Sequence, residues 1–111
     1  MTRIYGVIGY PVLHSLSPAM HNAAFEALGL DALYTSFNVP PKQLRLVLRG
    51  LVACGIDGFN VTIPHKEVIV PLLDACDADA KALGAVNTVV VCRGKAIGYN
   101  TDVAGFTRAL K

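Results

Sequence analysis

The sequence predicts an α/β fold: a three-layer sandwich around a mostly parallel mixed sheet, with one antiparallel hairpin strand and helices on both faces. Strand-like and helix-like segments alternate from Arg3 to Val61, the rhythm of right-handed βαβ crossovers. Proline or glycine marks the junctions, at Pro18, Gly29, Pro40-Pro41 and Gly55. Further on, the β-branched run Thr88-Val89-Val90-Val91-Cys92 meets Arg93-Gly94-Lys95 and returns as Ala96-Ile97-Gly98-Tyr99, which reads as a hairpin.

The elements follow in order. Arg3 to Ile8 reads as a first strand. Ser17-Pro18 has the form of an N-cap followed by proline at the first helical position. The helix it opens carries Met20, Ala23, Ala24, Ala27 and Leu28 on one stripe, which predicts the core-facing side. Tyr34 to Val39 reads as a second strand. After the proline pair, Leu44, Val47, Leu48, Leu51 and Val52 repeat the helical period. Gly58 to Val61 is a third strand. From Glu67 to Ala82 the pattern is helical but broken at Pro71, with a second piece expected near Asp79 to Leu83. Thr101 to Lys111 reads as a final helix, capped by Thr101 or Asp102, with Val103, Phe106 and Leu110 on one face. That face is a candidate surface for pairing with a second copy in a homodimer.

Composition narrows the function. The 111 residues suit one domain, and 53% of them are apolar, enough for a core. A net charge of +2, from Lys and Arg that never stand side by side, gives no basic stripe for nucleic acid. No apolar run is long enough to span a membrane. The cysteines Cys54, Cys76 and Cys92 form no Cys-x-x-Cys and are expected as small buried thiols in a reducing compartment. His14, His21 and His65 have no metal-ligand spacing, so no metal is expected.

The chemistry concentrates at predicted strand ends. In Gly58-Phe59-Asn60-Val61-Thr62-Ile63-Pro64-His65-Lys66 an amide, a hydroxyl and an ammonium crowd where a strand stops. Open α/β sheets bind ligands at that edge. Ser15 and Ser17 follow the first strand. Asn87 precedes the hairpin, and Asn100, Thr101 and Asp102 follow it. If the returning hairpin strand runs parallel to the early strands, all these groups meet at one edge. The resulting cleft suits a small, polyhydroxylated anion. Lys66 and Asp102 are the opposite charges in the set. An ammonium beside a reacting oxygen can give or take a proton, and a carboxylate can orient it.

The motifs Gly9-Tyr10-Pro11 with His14-Ser15-Leu16-Ser17-Pro18, Gly58 to Lys66, Gly84-Ala85-Val86-Asn87-Thr88, and Gly98 to Phe106 occur in this order. On them the chain resembles the shikimate dehydrogenase family, specifically its N-terminal substrate-binding domain, from Tyr5 to about Leu110. The resemblance implies NADPH-dependent reduction of 3-dehydroshikimate to shikimate, a cytoplasmic step of aromatic amino-acid biosynthesis. It implies that Ser15 and Ser17 hold the substrate carboxylate. Thr62, Asn87 and Asp102 then bind ring hydroxyls, with Asn60 and Thr101 lining the site. Lys66 and Asp102 form the catalytic pair. Serine at position 17 leans toward shikimate over quinate. Residues 1–111 are then the substrate-binding domain alone. The family's NADP-binding domain is absent, because no Gly-x-Gly-x-x-Gly occurs. The expectation is a part of a longer protein, inactive by itself. The alternatives are a standalone shikimate- or quinate-binding module without catalysis, and a quinate-preferring relative using NAD.

Overall fold

The structure is a computed structural model that describes residues 2–102. Its strands are β1 (Arg3–Gly9), β2 (Ala32–Asn38), β3 (Gly58–Val61), β4 (Ala75–Cys76), β5 (Thr88–Cys92) and β6 (Lys95–Tyr99). Its α-helices are α1 (Ser17–Ala27), α2 (Leu44–Ala53), α3 (His65–Val68) and α4 (Ala78–Leu83). One sheet takes the order β2-β1-β3-β5-β6-β4. β5 runs antiparallel to both its neighbours, and every other pair is parallel. Two reversals therefore bring β6 back parallel to β1 and β3. The hairpin closes through Arg93 and Gly94, both at positive φ (52° and 76°), the backbone that a two-residue turn needs.

Strand alternation sorts the residues between the two faces of the sheet. Ile4 and Ile8 of β1, Phe59 and Val61 of β3 and Val89 of β5 join a core with Leu44, Leu48, Ile69, Ala80 and Val86. Ile8, Ile69 and Val86 are wholly buried there. Burying a side chain of this size stabilises by roughly 1.5–3 kcal/mol. The α2 stripe faces this core as expected, with Leu44 and Leu48 buried and Val47, Leu51 and Val52 packed beside them. The opposite face is smaller. Val7, Val12 and Tyr34 pack there with Tyr5 and Phe25.

Helix α1 covers that smaller face with the side opposite to the one its apolar stripe predicts. Met20, Ala23, Ala24, Ala27 and Leu28 are exposed, while Ser17, His21, Asn22 and Phe25 turn toward the sheet. The reason is visible in the contacts. Asn22 Nδ2 donates to the Tyr34 carbonyl, and Asn22 Oδ1 accepts from the Tyr34 N–H, each at 2.8 Å. β2 is an edge strand, so this amide satisfies backbone groups that no neighbouring strand could. His21 stacks on the Tyr34 ring with centroids 4.2 Å apart. Directional polar contacts, not the alanine stripe, set the rotation of α1.

Other expectations also change. The N-cap position of α1 is Leu16, not Ser17, and the Ser17 N–H is taken by Ser15 Oγ at 3.1 Å. The expected break after Pro71 contains β4, a two-residue strand paired with Ile97 and Gly98, which the helical pattern did not show. Cys54 and Cys92 are exposed rather than buried, because Cys54 follows α2 and Cys92 sits beside the hairpin turn. The turn into residue 101 is capped by Asn100, whose Oδ1 accepts from the Asp102 N–H at 3.0 Å. The apolar face of the expected final helix, Val103, Phe106 and Leu110, lies outside the described residues.

Candidate functional site

The parallel strands β1, β3 and β6 end at one edge of the sheet, and antiparallel β5 begins there. Backbone bonds sew the loops of that edge together. Thr62 N–H donates to Ile8 O at 3.0 Å, Tyr10 N–H to Ile63 O at 3.1 Å, and Val39 N–H to Gly9 O at 2.9 Å. Val86 N–H reaches Lys66 O at 2.8 Å, and Val61 N–H reaches Asn87 O at 2.8 Å. Gly9 is required at this seam, since a Cβ there would run into the Thr62 methyl. The loops are thus held by main-chain contacts, which leaves their side chains available.

Ser15, Ser17 and Thr62 line one hollow of about 390 Å³, together with Tyr10, Val12 and His14. Ser15 Oγ accepts from the Ser17 N–H, so its own proton stays free to donate. Beyond the Thr62–Lys66 segment, Lys66 Nζ lies 3.7 Å from Asp102 Oδ2. Both side chains are partly exposed, at 41% and 68%. An exposed pair at this distance adds little to stability. It leaves an ammonium and a carboxylate side by side and open to a ligand. Asn87 stands next to this pair: its Nδ2 donates to Thr101 Oγ1 at 3.0 Å, and its Oδ1 accepts from the Thr101 N–H at 3.1 Å. Asn60 takes a different place. It points to the face covered by α1 and lines a broader hollow of about 1020 Å³ with Tyr34, His21 and Thr88.

Tyr34, His21, Asn22 and Thr88 are the residues that sequence reasoning missed. The Tyr34 hydroxyl donates to Asn60 Oδ1 at 2.7 Å. Burial pushes its pKa up from 10.0 to about 12, and a hydrogen-bonding contact with the Ser17 side chain partly opposes the rise. The available signal was the polar pair His21-Asn22 on α1, one turn after Ser17. On the core side, His65 is fully buried, and its Nε2–H donates to Val39 O at 2.7 Å. That bond pins the residue before Lys66 to the end of β2. Among the described residues, no cluster of three His, Cys, Asp or Glu side chains could hold a metal ion, and no helix is long and apolar enough to cross a membrane.

Residues 7–89 match the family described as the shikimate dehydrogenase substrate binding domain. The chain belongs to that family. A shikimate dehydrogenase (NADP(+)) of Methanopyrus kandleri is 57% identical over 110 residues, covering 99% of this chain and 38% of the relative. The crystal structure of a Listeria monocytogenes shikimate 5-dehydrogenase with shikimate and NAD superposes at a TM-score of 0.91. It is 46% identical, over 98% of this chain and 38% of that one. The ligand-free 5-ketofructose reductase of a Gluconobacter strain superposes at 0.92 with 34% identity, over 99% of this chain and 40% of the other. The chain therefore spans about two-fifths of the length of these relatives.

Proposed function

We propose that this chain is the substrate-binding half of an enzyme that reversibly reduces 3-dehydroshikimate to shikimate with NADPH. The 3.7 Å approach of Lys66 to Asp102, four residues along the chain from Thr62, which lines a hollow with Ser15 and Ser17, carries the proposal. The hydroxyls of Ser15 and Ser17 bind the substrate carboxylate, where uncharged donors suit a charged acceptor. Thr62, Asn87, Thr101 and Asp102 bind the ring hydroxyls. These positions are those at which the chain resembles its family. The Lys66 ammonium is the proton source of this pair. It gives its proton to the substrate carbonyl oxygen as that oxygen becomes a hydroxyl, and takes it back in the reverse direction. Asp102 orients the ammonium and supports its charge.

The described residues do not fit a dinucleotide. α1 opens with Ser17-Pro18, so the proline removes a backbone N–H, and no glycine-rich turn precedes the helix. NADP is assigned to residues outside this chain, and the chain alone is expected to bind substrate without turning it over.

In the longer enzyme, Lys66→Ala should lower turnover on the order of 10²–10⁴-fold, the usual contribution of a general acid. The KM for shikimate should change little. A variant with near-normal turnover would remove Lys66 from the reaction.

A further inference from the structure

Two hydrogen-bonded amides in this site have their orientations fixed by backbone groups that can act in only one sense. Asn60 Nδ2 faces the Asn87 carbonyl at 3.5 Å, and a carbonyl can only accept. Asn60 Oδ1 must then face Tyr34, so the tyrosine hydroxyl donates. Asn87 Oδ1 faces the Thr101 N–H at 3.1 Å, and an N–H can only donate. The Thr88 hydroxyl, 3.0 Å from the same oxygen, must also donate to it. Thr88 Oγ1 in turn accepts from Asn60 Nδ2 at 3.3 Å. The bonds therefore run in one direction: Tyr34 to Asn60, Asn60 to Thr88, Thr88 to Asn87, and Asn87 to Thr101. At its far end Asn87 keeps one amide hydrogen, and Thr101 keeps its hydroxyl proton.

We propose that Tyr34 is a positioning residue, whose hydroxyl anchors Asn60 at the start of this one-way chain and so sets where Asn87 and Thr101, oriented by the Thr101 N–H, present their remaining donors to the bound ligand. Tyr34 is suited to anchor it. Its ring is 4% exposed and stacked on His21, and its backbone is clasped on both sides by Asn22. Its hydroxyl is fixed before any ligand arrives. Thr88 is the relay. Without Tyr34's proton, Asn60 Oδ1 becomes an unsatisfied acceptor, and only the long 3.5 and 3.3 Å contacts of Asn60 Nδ2 are left to hold the amide in place. A shift of Asn60 then reaches Asn87 through its carbonyl and through Thr88, while the Thr101 N–H keeps the Asn87 amide in the same sense. The ligand side of the proposal rests on the shikimate reading above; the polarity of the chain does not.

Tyr34→Phe removes the hydroxyl and keeps the ring and the backbone clasp, so the fold should survive. Thr88→Val cuts the relay with a side chain of nearly the same shape. In the ligand-free protein, Tyr34→Phe should shift the Asn87 side-chain amide NMR signals, although the two residues share no bond. In a Thr88→Val background that response should shrink, leaving only what passes through the Asn87 carbonyl. Unmoved Asn87 signals in Tyr34→Phe would overturn the proposal whether or not shikimate binds. With shikimate as the probe, each variant should raise Kd by roughly three- to tenfold. The double variant should lose less than the two single losses combined, because both act on one network. Fully additive losses would also overturn it, as would wild-type Kd in Tyr34→Phe. Failure of the unaltered protein to bind shikimate would count against the shikimate reading instead.

Discussion

Helices α1 and α2 both carry apolar residues at helical spacing, weakly segregated in α1 and sharply in α2, yet they present opposite sides to the sheet. The stripe of α2 faces the core, with Leu44 and Leu48 buried. The stripe of α1 faces outward, and its buried contacts are made by His21, Asn22 and Phe25. Periodicity reports which side of a helix is apolar. It does not report which side is inward when the sheet below offers polar groups. α2 serves the core, where area removed from water decides. α1 serves the site edge, where an edge strand and a buried tyrosine need directional partners.

Truncating one residue from each stripe exposes this contrast most strongly. Leu48→Ala should lower unfolding free energy by about 2–5 kcal/mol in urea titrations, the usual result for a buried leucine. Met20→Ala on α1 should stay within about 0.5 kcal/mol, since Met20 is 66% exposed. A large loss at Met20 would mean that the outward stripe is covered. A second substitution tests what replaces apolar burial in α1. Asn22→Ala removes both clasping bonds to Tyr34 and should cost about 2 kcal/mol. A neutral result would return the orientation of α1 to ring packing alone.

The pH dependence of stability reports on the Tyr34 hydroxyl. Its folded pKa stands at about 12, above the ordinary 10.0. Between those values the unfolded chain gives up this proton first, so the folded state binds more protons and stability falls as pH rises. The contribution is intact below pH 10.0 and is lost through about pH 12. Urea midpoints should therefore fall less steeply in Tyr34→Phe than in the parent over this window. Parallel pH profiles would place the hydroxyl in water.

Much of the fold was legible because the chain punctuates itself. The Pro40-Pro41 pair and the Arg93-Gly94 turn bounded elements whose period then identified them. β4 escaped because Ala75-Cys76 is too short to show alternation; it exists only because β6 offers a free edge. That Ser15, Ser17 and Thr62 would share one hollow, and that Lys66 would meet Asp102, could be anticipated from topology, since parallel strands end together. Tyr34 and Thr88 could not. Each lies within a strand, where aromatic and β-branched residues are ordinary, and only the pairing of Asn60 with Thr88 and the crossing of α1 over β2 make them neighbours of the site.

The central claim is that separate loops of one sheet edge close around a single small ligand. The direct measurement is a backbone-amide NMR titration of the chain with shikimate. The account predicts saturable shifts in Tyr10–Ser17, Thr62–Lys66, Asn87 and Thr101–Asp102 with one shared Kd. Shifts confined to one of these loops, differing Kd values between them, or no saturation at millimolar shikimate would contradict it.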